Sequence, residues 1–326
     1  MPDLDDNLES TVDSGTLKEL LEQVETDETP LVPTRPLLVD VSYVLRKYMY
    51  VYRDLTTKDG LATGGFYGLI KSVSDHVKTT NVDRVLLIWD APPYKRKEEC
   101  QEYKADRSYS EQDAFNFNKS LLEQWLSVVS AEKLFINSAE GDDLIGSYIQ
   151  QHKELVDVLS NDSDLHQCFD ANPNIRFLGN QGIIVDKKGL LNQHQVIESS
   201  LREYLLNMIA LTGGHNNAGK VRKGLGPKRA SKLLDIDGKL FPGVLSDQEF
   251  EIYQRNRRIA EIPYPPMAEE INQYTAKLST ATLVEKATPG IWETEEHKSF
   301  LEMLDFSSTS VASATLVAKK LIAKLS

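Results

Sequence analysis

Seven carboxylates stand where short apolar runs of this 326-residue chain come to an end. Leu37-Leu38-Val39 stops at Asp40, and the run 85–89 stops at Asp90. The run 155–159 leads through Ser160-Asn161 to Asp162 and Asp164, and Leu134-Phe135-Ile136 precedes Glu140-Gly141-Asp142-Asp143. A single Asp after a strand is commonly a turn residue or cap, and acids at a helix start suit the helix dipole. Several on successive strands, mostly without a matching base alongside, point to chemistry instead. Gathered in one crevice they would repel one another unless hard cations lay between them. Oxygen-only ligands favour Mg²⁺ or Mn²⁺ over zinc, and two such ions can activate water and stabilise a leaving oxygen in phosphodiester hydrolysis.

Two basic stretches complement the acids. After Asp90 come Lys95, Arg96 and Lys97, then Tyr103-Lys104-Ala105-Asp106-Arg107. Leaving the sheet directly from a candidate metal ligand, Lys95, Arg96, Lys97, Lys104 and Arg107 are placed to neutralise charge developing on a bound phosphate. The same stretch also carries acids, so a solvated charged helix is the plain alternative. Residues 213–232 hold Lys220, Arg222, Lys223, Lys228, Arg229 and Lys232 and no acid. Within them Gly224-Leu225-Gly226-Pro227 predicts a tight turn before a helix from about Lys228 to Leu234. Glycine-exposed N–H groups at Gly224 and Gly226, beside that charge, would grip a phosphate backbone without reading sequence.

The elements that must position these groups follow from periodicity. The short continuous apolar runs suit strands of a parallel sheet buried on both faces. Amphipathic segments at 63–78, 114–130 and 141–154 alternate with them, which predicts a doubly wound α/β layer. In such sheets ligands bind outside the carboxyl ends of the strands, where the acids stand. Asp162 and Asp164, one residue apart, would share a side if the backbone there is extended.

Composition sets the limits. Lys and Arg number 37 against 49 Asp and Glu, for a formal charge of −12, and 40% of residues are hydrophobic. A wholly disordered chain is excluded. No apolar run approaches the roughly 18 residues of a membrane-spanning helix, and the acidic start lacks the features of a signal peptide. Cys100 and Cys168 are too few and too distant for a disulfide framework or a zinc cluster. A soluble, reduced, intracellular protein is expected. Residues 1–30 contain ten acids and only Lys18 as a base, so residues 1–33 read as an acidic, solvated tail. The sharper reading of that tail is a polyanion competing with nucleic acid for a basic groove. Residues 253–263 read as a helix with an extended exit. Residues 312–326 are apolar near helical spacing, with Lys319, Lys320 and Lys324 near the end.

Taken in order, these stretches resemble the bacterial and bacteriophage 5′-nuclease family of flap endonucleases and 5′→3′ exonuclease domains of DNA polymerases. The resemblance rests on Val39-Asp40-Val41-Ser42, residues 60–68, Trp89-Asp90 with residues 103–107, residues 140–143, residues 160–165 and the glycine turn at 224–230. It implies a central sheet flanked by helices, a helical arch at about 92–120 and a helix–three-turn–helix at about 205–235. The nuclease domain would then span 34–200 and a helical DNA-binding region 201–326. By position, Asp40, Asp90, Glu140 and Asp142 resemble ligands of a first metal, and Asp143, Asp162 and Asp164 part of a second site. The phosphate-contacting place after Asp90 falls on Arg96 or Lys97.

The implied cofactors are Mg²⁺ or Mn²⁺, one strong site and a weak second, with K⁺ at the glycine turn. The implied partners are DNA with 5′ flaps, nicks or ends, and replication proteins, for a cytoplasmic monomer. One departure matters. Family members usually carry Gly-Asp-x-x-Asp-Asn before the glycine turn, whereas residues 211–217 here read Leu-Thr-Gly-Gly-His-Asn-Asn. Without those two acids the second metal site is weakened. Two alternatives follow: a junction-binding DNA protein with little or no catalysis, and an RNA-processing nuclease on a similar scaffold.

Overall fold

The computed structural model describes residues 35–57, 60–105, 111–126, 131–179, 184–194, 197, 201–214 and 219–280. The acidic tail, Arg107, residues 215–217 and the stretch 312–326 lie outside the described residues.

Strand β1 (Arg35–Asp40) runs into helix α1 (Val41–Val51), followed by α2 (Gly64–Thr79) and β2 (Val82–Ile88). Then come α3 (Tyr94–Glu99), α4 (Gln112–Trp125), β3 (Glu132–Leu134), α5 (Gly141–Gln151) and β4 (Val156–Leu159). A 3₁₀ helix (Ser163–Asp170) leads to β5 (Ile175–Leu178) and β6 (Ile184–Val185). Helices α6 (Lys187–His194), α7 (Leu201–Thr212), α8 (Pro227–Ala230), α9 (Asp247–Ala260) and α10 (Ala268–Thr280) complete the described chain.

The sheet order is β3-β2-β1-β4-β5-β6, with the first five strands parallel and β6 antiparallel to β5. This is the expected doubly wound, mostly parallel sheet. Alternation along the strands explains why helices cover both faces. Leu37, Val39, Leu87 and Trp89 pack on one side with Leu45 of α1, Phe66 of α2 and Trp125 of α4. Leu38, Leu86 and Ile88 point the other way and meet Leu144 of α5, Phe169 and Ile271 of α10. A smaller core under the glycine turn joins Leu211, Val221, Leu225, Ala230 and Tyr253.

Some expectations shift. The strand read at 134–136 is the three-residue edge strand β3, and Phe135 beyond it is exposed. The helix read from Lys228 starts at Pro227, is four residues long and continues as a 3₁₀ turn to Leu233. Strands β5 and β6 were not anticipated. Asp162 and Asp164 do not share an extended strand face: Asp162 caps the 3₁₀ helix and Asp164 lies in its first turn.

Candidate metal centre

The strand order reverses between β1 and β4, both central, so a crevice opens beyond their carboxyl ends. Register places Asp40 opposite Ile88 of β2 and Val39 opposite Leu159 of β4. The chain therefore leaves the sheet at one level toward Asp40, Asp90 and Ser160.

Asp40 ends β1 and caps α1. Its Oδ1 accepts the Tyr43 N–H (3.0 Å) and its Oδ2 accepts the Ser160 hydroxyl (3.0 Å). Asp90 accepts the Gly141 N–H through Oδ1 (2.7 Å). A Cβ at position 141 would stand 3.1 Å from that oxygen, so glycine permits the approach. Asp162 accepts the Asp164 N–H through Oδ1 (2.9 Å), and its own N–H donates to Ser160 Oγ (3.2 Å). Ser160 thus ties Asp40 to the Asp162 turn.

Electrostatics draws Asp40, Asp90, Asp142 and Asp162 together. Burial, then the neighbouring charge of Asp90, pushes Asp40 up to about 7 despite the Tyr43 and Ser160 hydrogen bonds. Burial, then Asp162 and Asp40, raises Asp142 well above the usual carboxylate range, with Lys104 opposing and Asp90 adding. Among the described residues, none of the four is in an ion pair with Lys, Arg or His, although Glu140 and Asp143 beside them are. Among the described residues, no group of three His, Cys, Asp or Glu side chains is arranged to hold a metal ion as placed. The four aspartates are linked by mutual charge repulsion. In donor chemistry alone, oxygen ligands that repel one another in a low-dielectric crevice suit a hard divalent cation.

Glu140 and Asp143, expected as metal ligands, are committed elsewhere. Arg96, expected on phosphate, is only 4% exposed and forks onto Asp143 through Nη1 (2.6 Å) and Nη2 (2.8 Å). Its Nη1 also reaches Glu140 Oε2 (2.8 Å), and its Nε donates to the Ile259 carbonyl (2.9 Å). The remaining Asp143 contacts come from the N–H groups of Tyr264 (2.8 Å) and Glu140 (3.2 Å). Glu140 further accepts the Tyr103 hydroxyl (2.8 Å) and the Lys104 ammonium. Burial alone would raise Glu140, but Lys104 and Arg96 hold it below the ordinary carboxylate value. Arg96 is therefore a buried brace between α3, α5 and the end of α9. Lys104 is largely covered, whereas Lys95, paired with Glu98, and Lys97 are exposed. Asp164 is half-buried at the crevice edge.

The basic turn stands apart from the crevice as a surface feature. Gly224 adopts φ +76°, the left-handed region, and Gly226 caps α8 with Pro227 in its first turn. Lys220, Lys223, Lys228, Arg229 and Lys232 are exposed. Arg222 is not free for phosphate: Glu249 takes its Nε (2.5 Å) and Nη2 (2.7 Å). Sequence reasoning missed Ser160 and Gly141 as positioning residues. The signal for Gly141 was its place between two acids, and for Ser160 its place at the head of the 160–165 stretch that carries the resemblance.

Comparison with known proteins agrees with this geometry. Residues 35–200 match the family of the 5′-3′ exonuclease, N-terminal resolvase-like domain. The chain is 25% identical over 263 residues to a 5′-3′ exonuclease of Streptomyces coelicolor, covering 74% of this chain and 85% of that one. It is 28% identical over 210 residues to a thermostable DNA polymerase I of Thermus aquaticus, covering 63% of this chain but only 24% of the polymerase. A solved structure of the T5 5′-exonuclease with bound zinc superposes with a TM-score of 0.56 at 15% identity, covering 78% of this chain and 100% of that one. That likeness is one of fold. With the family match spanning the sheet and all four crevice aspartates, the chain belongs to the 5′-3′ exonuclease family, through its N-terminal resolvase-like domain.

Proposed function

We propose that the protein is a divalent-metal-dependent, structure-selective 5′-nuclease that hydrolyses DNA phosphodiesters at flaps, nicks or ends. The observation that carries this reading is the set of four aspartates at the strand-order reversal that form no ion pair among the described residues. Asp40, Asp90, Asp142 and Asp162 would hold Mg²⁺ or Mn²⁺, with Asp164 at the edge of a weaker second site. Such an ion, when bound, polarises a phosphodiester and makes water a nucleophile at neutral pH.

The protein's own groups fix that constellation. Ser160 and the Tyr43 N–H orient Asp40, and the Gly141 N–H orients Asp90. Arg96 neutralises Glu140 and Asp143, which keeps the first turn of α5, and so Asp142, in place. Lys95, Lys97 and Arg107 are the candidates for contacts to the entering strand; Lys104 would act there only on exchanging Glu140 for phosphate. Lys220, Lys223, Lys228, Arg229 and Lys232 would follow the duplex backbone, and the glycine turn at 224–226 would hold K⁺ and add positive charge there. Replication or repair DNA is the partner this fits, and no helix of the described residues is long and apolar enough to cross a membrane.

The missing acids of residues 211–217 favour one other reading, a junction-binding protein without turnover. A labelled 5′-flap duplex separates the two. Cleavage in Mg²⁺ or Mn²⁺, abolished by EDTA and by Asp90→Ala, is the expected result. A folded protein that binds the flap yet leaves it intact at every metal concentration would overturn the enzymatic reading.

A further inference from the structure

Trp89, the residue before Asp90, is 1% exposed and is pinned by its backbone N–H, which donates to the Leu134 carbonyl (3.0 Å). Two lysines approach its indole: Lys133 Nζ stands 4.6 Å and Lys119 Nζ 4.9 Å from the ring centroid. They are not equivalent. Lys133 is exposed and ion-paired with Glu123 (2.9 Å). Lys119, half-buried on α4, forms no ion pair among the described residues, and Glu123, Asp90 and Lys133 are the charges acting on it. Burial pushes its pKa down, and the charges of Glu123 and Asp90 offset this only in part. The ring face compensates only in part and leaves its N–H donors available.

Two other cations at the crevice are held by its acids, Arg96 by Asp143 and Glu140 and Lys104 by Glu140. We propose that Lys119, seated on Trp89 beside Asp90, is a binding site for a backbone phosphate of the substrate strand entering the aspartate crevice. The assignment rests on the nuclease reading and deepens it: a phosphate there brings the strand past Asp90 and gives this lysine a direct ion pair, which it forms with no carboxylate of the described residues. Lys119 falls at the end of the stretch, about 92–120, that the resemblance assigns to the arch, but the sequence alone does not reveal its seat on Trp89.

The test measures binding of a 5′-flap duplex by fluorescence anisotropy in EDTA over a range of salt, with single-turnover cleavage in Mn²⁺ alongside. Lys119→Gln is expected to weaken binding about tenfold and to flatten the dependence of log K on log salt by roughly 0.7 to 0.9, one phosphate contact. Lys119→Arg should recover most of both. Lys153→Gln removes the same charge at the far end of α5, where Lys153 meets only the Gln150 and Ala171 carbonyls, and should stay within twofold. If Lys119→Gln lowers the melting temperature, Lys119→Met, which keeps the stem on the indole, replaces it. A Lys119 variant indistinguishable from Lys153→Gln in affinity and slope overturns the assignment. Wild-type protein that binds without cleaving defeats the nuclease reading instead, and the binding arm still decides on Lys119.

Discussion

At the residue scale, the crevice trades stability for cation capture, and the two can be separated by substitution. Asp142→Asn removes one negative charge from a group of four. It should lower flap cleavage at least 100-fold while raising the metal-free melting temperature by a few degrees, read by calorimetry in EDTA. A fall in both would mean that Asp142 is structural. Arg96 behaves oppositely. Arg96→Met leaves Glu140 and Asp143 buried without their cation, a loss of about 3–5 kcal/mol measurable by urea unfolding. An unchanged midpoint would contradict its role as a brace. Arg96 is also where sequence reading went wrong for a physical reason. In a charged run it looks like a phosphate contact. What turns it inward is the carbonyl of Ile259 and two acids on α5, all distant in sequence. Asp40, Asp90 and Asp162 stood out in the sequence because each follows an apolar run with no base beside it, and Asp142 because it lies in the acidic start of a helix.

At the element scale, three of the four proposed ligands are aimed by the start of a helix. Asp40 caps α1, Asp162 caps the 3₁₀ helix, and Asp90 is held by the first N–H of α5. Gly141→Ala tests this aim. Alanine favours a helix, yet its Cβ would crowd Asp90 Oδ1 at 3.1 Å, a contact in which the neighbour must shift by a few tenths of an ångström. Stability should stay within about 1 kcal/mol while the Mn²⁺ concentration for half-maximal cleavage rises roughly tenfold, the size of effect expected when a ligand's supporting contact is disturbed. No change in that concentration would remove Gly141 from the account. Strands β1, β2 and β4 were readable as continuous apolar runs because both their faces are buried. Strand β5 was not: Ile175-Arg176-Phe177-Leu178 is four residues long, and Arg176 breaks the run because it answers Asp157 on the neighbouring strand (2.6 Å). The two-residue β6 offers too little pattern to detect.

At the scale of the whole molecule, the aspartate crevice and the lone Asp157, toward opposite ends of the central strands, set opposing pH dependences. Asp157 of β4 is surrounded by His76, Arg176 and Arg35; burial alone would raise it, but His76 and Arg176 hold it at about 2. Folded Asp157 binds its proton less tightly than the unfolded group at 3.8, so its stabilisation is present above about pH 4 and lost as pH falls toward 2. Asp40, raised to about 7, has the opposite sign: the folded state holds the proton, and stability drains away as pH climbs from about 4 through 7. Metal-free protein should therefore melt highest near pH 4–5. The rise in melting temperature on adding Mg²⁺ should be larger at pH 8 than at pH 5, because the cation binds the deprotonated cluster. A metal-induced shift independent of pH would speak against that linkage. The central claim, that side-chain oxygens from four separated segments capture a divalent ion, is tested most directly by anomalous diffraction from crystals soaked in Mn²⁺. The account predicts a manganese peak among Asp40, Asp90, Asp142 and Asp162, lost in Asp142→Asn crystals; no peak there at saturating Mn²⁺ and pH 8 would contradict it.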